Sequence, residues 1–387
     1  MQYLFVTGRN PELALAEALS LLEKKSIDAS ISVTKTNAFI FNTRKGLDVK
    51  QILPLLGGTI AIGKILCTGD LSEVEGFIET EEVYFGQKNK FLYSCLDFAD
   101  EGGLNIVLNA LKQKFKKEKT KARFKSVRGT ILMQSGCVVE GTPSKISATD
   151  VAYFLFKDKN YSFGFVEAFS DSKEMEARDM GKPERRGHLA ISPRLSKILV
   201  NLSQTKQGET LLDPFCGIGV ILQEAMVQTI NVVGVDINST AIEGAKKNIE
   251  WTKNKYRAKA SAKISIGDSR KVSLQNIDGI ATEPSLGTLL KKTPHEKVAM
   301  QMQSRFENLM INVLNNLKNF LTPQAKIAFT APYINTGKTR IGCNIQKICN
   351  GTGLQLHVLE DSNQKFPVCD FRPNQIVGRE IFVLEKI

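Results

Sequence analysis

The sequence lacks the signatures of several protein classes, and each absence narrows the possible functions. Its seven cysteines include no Cys-x-x-Cys pair, so neither a disulfide framework nor a zinc site is predicted, and reduced thiols are expected. No apolar run approaches the ~20 residues that span a bilayer. The chain starts with a strand-like segment at residues 2–6 and shows no secretory signal. We therefore expect a cytoplasmic protein without a metal site or membrane contact.

Acidic residues are outnumbered, because 52 lysines and arginines face 40 aspartates and glutamates, which gives a net charge of +12. One basic stretch between residues 112 and 128 contains Glu118 as its single acid. Such a stretch is typical of a surface that contacts nucleic-acid phosphates, whereas a solvated helix face usually mixes signs. We expect nucleic-acid contacts from Lys114, Lys116, Lys117, Lys119, Lys121, Arg123, Lys125, Arg185 and Arg186. A solvated basic surface is the alternative.

The chain is organised around residues 209–219, where a short apolar strand leads into a glycine loop and then an apolar-periodic helix. Gly217 and Gly219 allow the backbone to turn sharply or to approach a ligand closely. A helix N-terminus behind such a loop offers free N–H groups. The segment resembles the S-adenosylmethionine loop of class I methyltransferases, and we assign to the cofactor Asp213, Pro214, Phe215, Cys216, Gly217 and Gly219. An α/β turn without a ligand is the alternative.

Strands and helices alternate in the second half of the chain, which predicts a doubly wound, mostly parallel α/β sheet with a ligand site at the carboxyl ends of its strands. Asp236 and Ile237 follow the second strand, where an acid can accept hydrogen bonds from ribose hydroxyls. Asp268 and Ser269 follow the third strand, where an acid can accept from an adenine amino group. A cap or turn role is the alternative for Asp268.

The fourth strand ends in Glu283-Pro284-Ser285-Leu286-Gly287. The nitrogen of an exocyclic amine is a poor nucleophile because its lone pair is delocalised into the base ring. An acceptor that holds the amino hydrogens turns this lone pair towards a methyl sulfonium. Glu283 can supply that carboxylate, and Pro284 fixes the backbone beside it. A strand-ending turn without chemistry is the alternative.

Several segments together resemble the THUMP-domain amino-methyltransferases that modify guanosine N2 in tRNA. These segments are residues 56–64, 178–186, 192–202, 213–219 and 372–381. The family's catalytic motif is Asp-Pro-Pro-Tyr-Gly, whose acid, first proline and glycine correspond to Glu283, Pro284 and Gly287. Ser285 and Leu286 stand where the motif has its second proline and its aromatic residue.

The resemblance implies a three-part architecture joined by a linker. Its three parts are an N-terminal ferredoxin-like region (1–60), a THUMP-like RNA-binding domain (61–170) and a Rossmann-like class I methyltransferase domain (189–387). The linker (171–188) joins the second part to the third. The resemblance also implies methyl transfer from S-adenosylmethionine to guanine N2 of a tRNA, of the position-10 type. The residues expected at the target base are Glu283, Pro284, Ser285 and Leu286.

Three questions of function stay open at this point. Some relatives require a small activator subunit, so such a partner is one possibility. The target amine could instead be another one, such as adenine N6 in RNA or DNA. A non-catalytic RNA-binding protein that retains the fold is the alternative from a different class.

Overall fold

The computed structural model describes residues 1–35, 37–98, 102–127, 129–140, 149–186, 191–287, 290–359 and 365–386. The helices are α1 (Pro11–Lys24), α2 (Val49–Ile52), α3 (Leu71–Thr80), α4 (Leu104–Lys117), α5 (Ser172–Met180), α6 (Pro193–Leu202), α7 (Val220–Val227), α8 (Ser239–Tyr256), α9 (Glu296–Leu317) and α10 (Ile345–Thr352). Within the described ranges, no helix combines the length and apolar character that crossing a membrane requires.

The strands fall into two groups along the chain. The first group is β1 (Gln2–Thr7), β2 (Ala29–Lys35), β3 (Ala38–Thr43), β4 (Thr59–Gly69), β5 (Lys90–Asp97), β6 (Lys121–Phe124), β7 (Thr130–Leu132), β8 (Val138–Glu140), β9 (Val151–Lys157) and β10 (Tyr161–Phe169). The second group is β11 (Thr210–Asp213), β12 (Asn231–Asp236), β13 (Ala262–Ile266), β14 (Ile277–Thr282), β15 (Leu321–Asn335), β16 (Arg340–Ile341), β17 (Gln355–Leu356), β18 (Val368–Asp370) and β19 (Val377–Glu385).

The N-terminal unit comprises residues 1–11, 27–54 and 58–170. Its main sheet has the strand order β2-β3-β1-β4-β10-β9-β5-β6, and β7 pairs with β8 in a separate hairpin. The apolar faces of α3 and α4 pack with Phe91 and Tyr153 of this sheet. The boundary predicted between residues 60 and 61 falls inside β4, which pairs with β1 on one side and β10 on the other. One continuous sheet therefore contains strands from both predicted parts.

The C-terminal unit comprises residues 12–26, 55–57 and 171–387. Its sheet has the order β13-β12-β11-β14-β15-β19-β17, with β16 beside β15 and β18 beside β19. Strands β13 to β15 of this order are parallel, whereas β19 runs antiparallel to β15. The strand order changes direction between β11 and β14, and ligands of such sheets bind beyond the carboxyl ends of the strands at that point.

Apolar layers cover both faces of this sheet, as the alternation of side chains along a strand requires. Leu211 packs in one layer with apolar residues of α6, α7 and α8. Leu212, the next residue of β11, packs in the other layer with apolar residues of α9 and α10. The parallel pairing of β11 to β15 and the helices on both faces of the sheet confirm the predicted doubly wound, mostly parallel sheet.

Helix α1 belongs to the C-terminal unit, although the sequence analysis placed it in the region 1–60. Leu13 and Ala16 lie in the same apolar cluster as Leu199 of α6. The buried Glu17 carboxylate accepts hydrogen bonds from the Gly57 amide and the Asn201 side chain, both at 2.7 Å. This placement arises because the helix buries both its apolar stripe and one acid against α6.

The predicted linker at 171–188 begins with a helix, α5. Asp171 caps the helix by accepting from the amides of Lys173 and Glu174. Arg178 is buried and forms ion pairs with Glu174 at 2.7 Å and with Glu224 of α7 at 2.8 Å. The polar composition of this segment did not indicate a packed helix, because the helix buries a charged side chain in an ion pair and has no apolar stripe. The predicted boundary between residues 188 and 189 lies outside the described residues.

Candidate active site

A cavity of about 900 Å³ lies at the carboxyl edge of the C-terminal sheet. This volume is within the range of small-molecule and cofactor sites. Its walls come from the segments that follow β11, β12, β13 and β14 and from the segment that leads into β19. The sequence-predicted residues among its lining are Asp213, Pro214, Phe215, Cys216, Gly217, Asp236, Ile237, Asp268, Ser269, Glu283, Pro284, Ser285, Leu286 and Arg186.

The glycine loop after β11 opens a space in the cavity wall. Gly217 has a φ of +53°, and no atom lies within 4 Å of the position that a Cβ would take. Gly219 has a φ of +83° and is the N-terminal cap of α7, and its amide donates to the Cys216 carbonyl at 2.7 Å. A left-handed backbone is the conformation that glycine adopts without strain.

Close packing between α7 and β12 holds this loop without a third loop glycine. The third glycine of a dinucleotide loop serves such close packing, but Leu222 occupies that position here. A Cβ on Gly234 of β12 would lie 2.5 Å from Leu222 Cδ1 and 3.1 Å from Cys216 Sγ. The missing side chain at Gly234 therefore makes the room that the larger Leu222 needs.

Asp236, at the end of β12, is tied to the loop backbone by both carboxylate oxygens. Oδ2 accepts from the Gly217 amide at 2.9 Å, and Oδ1 accepts from the Asn238 amide at 2.9 Å. Each carboxylate oxygen has a second lone pair that can accept a ligand hydroxyl. Ile237 beside it is 72% exposed and lines the cavity. An exposed isoleucine at this place offers an apolar contact to a ligand ring.

Asp213 is almost completely buried at the end of β11. Its Oδ1 accepts from the Thr282 hydroxyl at 2.6 Å and from the Phe215 amide at 3.1 Å. Burial raises the pKa of Asp213 to about 7, although these two hydrogen bonds lower it, and Asp236 and Glu283 add to the rise. Burial also raises the pKa of the Cys216 thiol. Asp213 thus joins the ends of β11 and β14 at the cavity floor.

Asp268 and Ser269, after β13, are both engaged by protein groups. Arg270 donates to both carboxylate oxygens of Asp268, with Nε–Oδ1 at 2.9 Å and Nη2–Oδ2 at 2.7 Å. The hydrogen bonds from the Arg270 side chain and backbone lower the pKa of Asp268 to about 2. The Ser269 hydroxyl is buried and donates to the Pro214 carbonyl at 2.6 Å. Ser269 therefore links two walls of the cavity, and Arg270 is a lining residue that sequence reasoning missed.

Glu283 lies at the end of β14, and its carboxylate contacts Arg379 of β19. Arg379 Nε donates to Oε2 at 2.5 Å, and Nη2 donates to Oε1 at 3.1 Å. The Thr330 hydroxyl lies 3.4 Å from Oε2. Burial lowers the pKa of Arg379, but the hydrogen bonds and charge of Glu283 outweigh this and raise it above its ordinary value. The sequence placed Arg379 in the family-like tail without a role, because its partner is 96 positions away.

The motif residues after Glu283 differ in their surroundings. Pro284 is buried and Leu286 is half-buried, and both line the cavity. Ser285 is exposed, and its hydroxyl accepts from the Gly287 amide at 3.4 Å. Leu286 thus offers an apolar side chain where the family motif has an aromatic one.

The basic residues of the N-terminal unit are not equivalent. Lys116, Lys117, Lys119, Lys121 and Arg123 are exposed around the end of α4 and on the edge strand β6, and Lys125 is half-buried. Lys114 is buried, and its ammonium contacts Glu118 at 3.0 Å and the Glu79 carbonyl at 3.3 Å. Its position three residues after the buried Leu111 places it on the inner face of the helix. The expected phosphate contact at Lys114 therefore conflicts with its burial.

Arg185 and Arg186 are exposed residues of the C-terminal unit. Arg186 also lines the cavity. Arg186 thus shares the cavity lining with the candidate catalytic residue Glu283.

Comparisons with known proteins agree with this fold. Residues 181–335 match the family model described as RMKL-like, methyltransferase domain. The predicted methyltransferase resemblance is thereby confirmed for this segment, whereas the THUMP-like assignment of residues 61–170 stays a prediction. The crystal structure of TrmN from Thermus thermophilus superposes with a TM-score of 0.55 at 12% identity and covers 100% of both chains. At this low identity, the likeness concerns the fold.

Two similar curated proteins are both named tRNA (guanine(10)-N2)-dimethyltransferase. The protein of Methanothermobacter thermautotrophicus is 32% identical over 145 residues, which cover 37% of this chain and 39% of that protein. The protein of Pyrococcus abyssi is 33% identical over 122 residues, which cover 30% of this chain and 33% of that protein. The chain thus matches well under half of the length of each of these relatives.

Proposed function

We propose that this protein transfers a methyl group from S-adenosylmethionine to an exocyclic amine of a tRNA base, namely guanine N2. One observation carries the proposal: a single cavity brings together the glycine loop, Asp236 and the Glu283 carboxylate. The first two are the groups that hold a nucleoside cofactor at the carboxyl edge of a parallel sheet. The third is an acceptor for an amine. The names of the similar proteins supply the tRNA and the guanine.

The cavity fits the cofactor on three counts. The open space at Gly217 lets a ligand approach the loop backbone, because no protein atom fills it. Asp236 retains lone pairs for the two ribose hydroxyls, and Ile237 offers an exposed apolar surface for the adenine ring. Asp268 is held by Arg270, so an adenine amino group would share that carboxylate with the guanidinium. The buried Asp213 supports the floor beside the methionine part.

The acceptor side of the cavity is formed by Glu283, Pro284 and Leu286. When bound, S-adenosylmethionine supplies a sulfonium methyl group; the amine lone pair forms the N–C bond, the C–S electron pair stays on sulfur, and the nitrogen gives up one proton to water. Glu283 accepts a hydrogen bond from the amine and orients its lone pair towards the methyl carbon. Catalysis is then mainly orientation and proximity. Leu286 contacts the face of the base in place of an aromatic ring.

The rest of the tRNA binds through its phosphates. Lys116, Lys117, Lys119, Lys121 and Arg123 provide exposed charge on the N-terminal unit, and Arg186 provides it at the cavity. Phosphate contacts of this kind supply affinity that falls with salt concentration. The free thiols of all seven cysteines suit a reducing compartment such as the cytoplasm. A small activator subunit is an additional partner that the tRNA assay below can reveal.

A second candidate function is RNA binding without methyl transfer. The observation that favours it is the Glu283–Arg379 contact, which engages both oxygens of the carboxylate expected to hold the amine. The replacement of the motif's aromatic residue by Leu286 points the same way. Such a protein would bind tRNA with ordinary affinity but would turn over no cofactor.

The test is methyl transfer from labelled S-adenosylmethionine to unmodified total tRNA, followed by identification of the labelled nucleoside. We expect label in N2-methylguanosine or N2,N2-dimethylguanosine. The Glu283→Gln protein should lose at least about 100-fold in rate, because the amine is no longer oriented. The matched control is Glu380→Gln, whose carboxylate accepts from the Cys343 amide at 2.6 Å and points to the other face of β19 than Arg379.

Each other outcome corrects the proposal in a defined way. Label in N6-methyladenosine keeps the reaction and replaces the target base. If tRNA binds and no label appears, a cell extract fraction is added to supply an activator. Continued absence of label then supports the non-catalytic RNA-binding function and refutes the proposed one.

A further inference from the structure

The Glu283–Arg379 pair spans three neighbouring strands of the sheet. Glu283 follows β14, Arg379 lies on β19, and β15 runs between them. On β15, Pro332 is the register partner of Arg379, and Thr330 approaches Glu283 from the same strand. The two side chains are 12% and 20% exposed, and both line the cavity. The arginine therefore reaches across a central strand to meet the acid of the candidate catalytic motif.

The contact is a two-pronged one, because two different guanidinium nitrogens meet the two carboxylate oxygens. Such a pairing fixes the plane of the carboxylate as well as its position. An ionised carboxylate has about four lone-pair sites. Arg379 and the Thr330 hydroxyl occupy both sites of Oε2, whereas Oε1 accepts from Arg379 Nη2 and keeps a further site. A lone carboxylate at the end of a glutamate side chain would rotate about its terminal bond. Arg379 removes that freedom.

A purely structural role explains the pair less well. Buried ion pairs contribute little net stability, because desolvation of the two charges offsets their attraction. Arg178 and Glu224 already provide a more deeply buried ion pair elsewhere in the unit. Charged groups that are paired and desolvated in a cleft are typical of functional sites. The cavity wall is where an oriented carboxylate can affect a reaction.

We propose that Arg379 is a positioning residue for methyl transfer, which holds the Glu283 carboxylate in one orientation so that a remaining lone pair accepts a hydrogen from the target amine. This inference rests on the proposed function and adds a residue that the Asp-Pro-Pro-Tyr-Gly-type motif does not contain. Glu283 touches the target base, whereas Arg379 acts through Glu283. The arginine also compensates for the longer and more flexible acid that stands in place of the motif's aspartate.

The test is a double-mutant cycle on the full-length protein. The turnover number, the KM for tRNA and the cofactor dissociation constant are measured for the wild type, Arg379→Met, Arg379→Lys, Glu283→Gln and the double variant Glu283→Gln/Arg379→Met. We expect Arg379→Met to lower kcat about 10- to 100-fold, with the KM and the cofactor affinity changed less than about 2-fold. Arg379→Lys, which keeps the charge but loses the two-pronged contact, should recover part of kcat.

The decisive comparison is the effect of Arg379→Met in the Glu283→Gln background. Because Arg379 acts through the carboxylate, the second substitution should change kcat less than about 2-fold there. The matched control is Arg178→Met. This substitution breaks the buried ion pair between Arg178 and Glu224, neither of which lines the cavity. This control should lower the melting temperature and leave kcat unchanged below unfolding. Arg379→Lys decides the question if Arg379→Met does not fold.

Three results would overturn the inference. An unchanged kcat in Arg379→Met and Arg379→Lys would show that orientation by the arginine is not needed. A multiplicative loss in the double variant would show that Arg379 acts independently of Glu283. An equal loss in Arg178→Met would show a general effect of stability. A wild-type protein that methylates no tRNA refutes the proposed function and this inference together, whereas an active wild type with any of the three results refutes the inference alone.

Discussion

Replacing Asp236 by asparagine should weaken cofactor binding and also lower the stability of the fold. The carboxylate accepts from the amides of Gly217 and Asn238, each at 2.9 Å. A hydrogen bond to a charged group contributes about 1.5–3 kcal/mol. Asparagine keeps one acceptor oxygen and presents an NH2 group in place of the other, so one bond is lost and the Gly217 loop loosens. We expect cofactor affinity to fall about 10- to 100-fold, since about 1.4 kcal/mol corresponds to a factor of ten.

The assay is isothermal titration calorimetry with S-adenosylmethionine, combined with thermal unfolding. Asp278→Asn is a matched control, because Asp278 accepts from the Thr210 amide at 2.8 Å near the start of β14, the opposite end from the cavity. This variant should lose stability and keep its cofactor affinity. The reasoning fails if Asp236→Asn binds the cofactor as tightly as the wild type. It also fails if Asp278→Asn weakens binding equally.

Three further predictions use single residues. Burial raises the pKa of Asp213 to about 7, so the folded state retains a proton that the unfolded state releases near pH 4. The stability of the wild type therefore falls as the pH rises from about 4 to 7, and the melting temperature of Asp213→Asn should fall less steeply across this range. Gly217→Ala and Gly208→Ala both introduce strain of order 1 kcal/mol, because both glycines have a positive φ, and neither new Cβ has an atom within 4 Å. Calorimetry should show weaker cofactor binding for Gly217→Ala and unchanged binding for Gly208→Ala. Lys114→Met should lower the melting temperature without altering the salt dependence of tRNA affinity. A variant with alanine at Lys116, Lys117 and Lys119 should instead make tRNA affinity less dependent on salt.

Local sequence signals predicted the side of the cavity that the glycine loop and Asp236 form. The loop at 213–219 and the acid at Asp236 are encoded within about two dozen consecutive residues, and each strand end has its own turn chemistry. Parallel sheet topology then brings those strand ends to one edge. The strand predicted before the glycine loop and the strands predicted before Asp236, Asp268 and Glu283 are present as β11 to β14. These features depend on contacts between elements that follow each other along the chain, so they could be predicted from the sequence.

Contacts between distant side chains were not predictable in this way. Arg379 and Glu283 are 96 positions apart, and no periodicity or spacing relates them. The grouping of α1 with residues of the second half depends on a buried acid, Glu17, and its partner Asn201, 184 positions away. Composition alone gave no reason to join either pair.

Two errors had a signal that could have been used. Lys114 follows Leu111 and Ala110 at helical spacing, so the period of α4 already places it on the buried face. The segment 171–180 has an aspartate followed three residues later by a glutamate, which is a helix-start pattern. In both cases the prediction relied on charge composition, although the spacing of the residues already indicated a buried helix face or a helix start.

The most direct test of the central claim is methyl transfer to a matched pair of tRNA transcripts that differ in one atom group. One transcript carries guanosine at position 10, and the other carries inosine there, which lacks the N2 amine. With labelled S-adenosylmethionine, we predict label in the guanosine transcript and none in the inosine transcript. Equal labelling of both transcripts would contradict an amine of this guanine as the target. Label in neither, with the transcripts bound and the cell extract fraction added, would contradict methyl transfer itself.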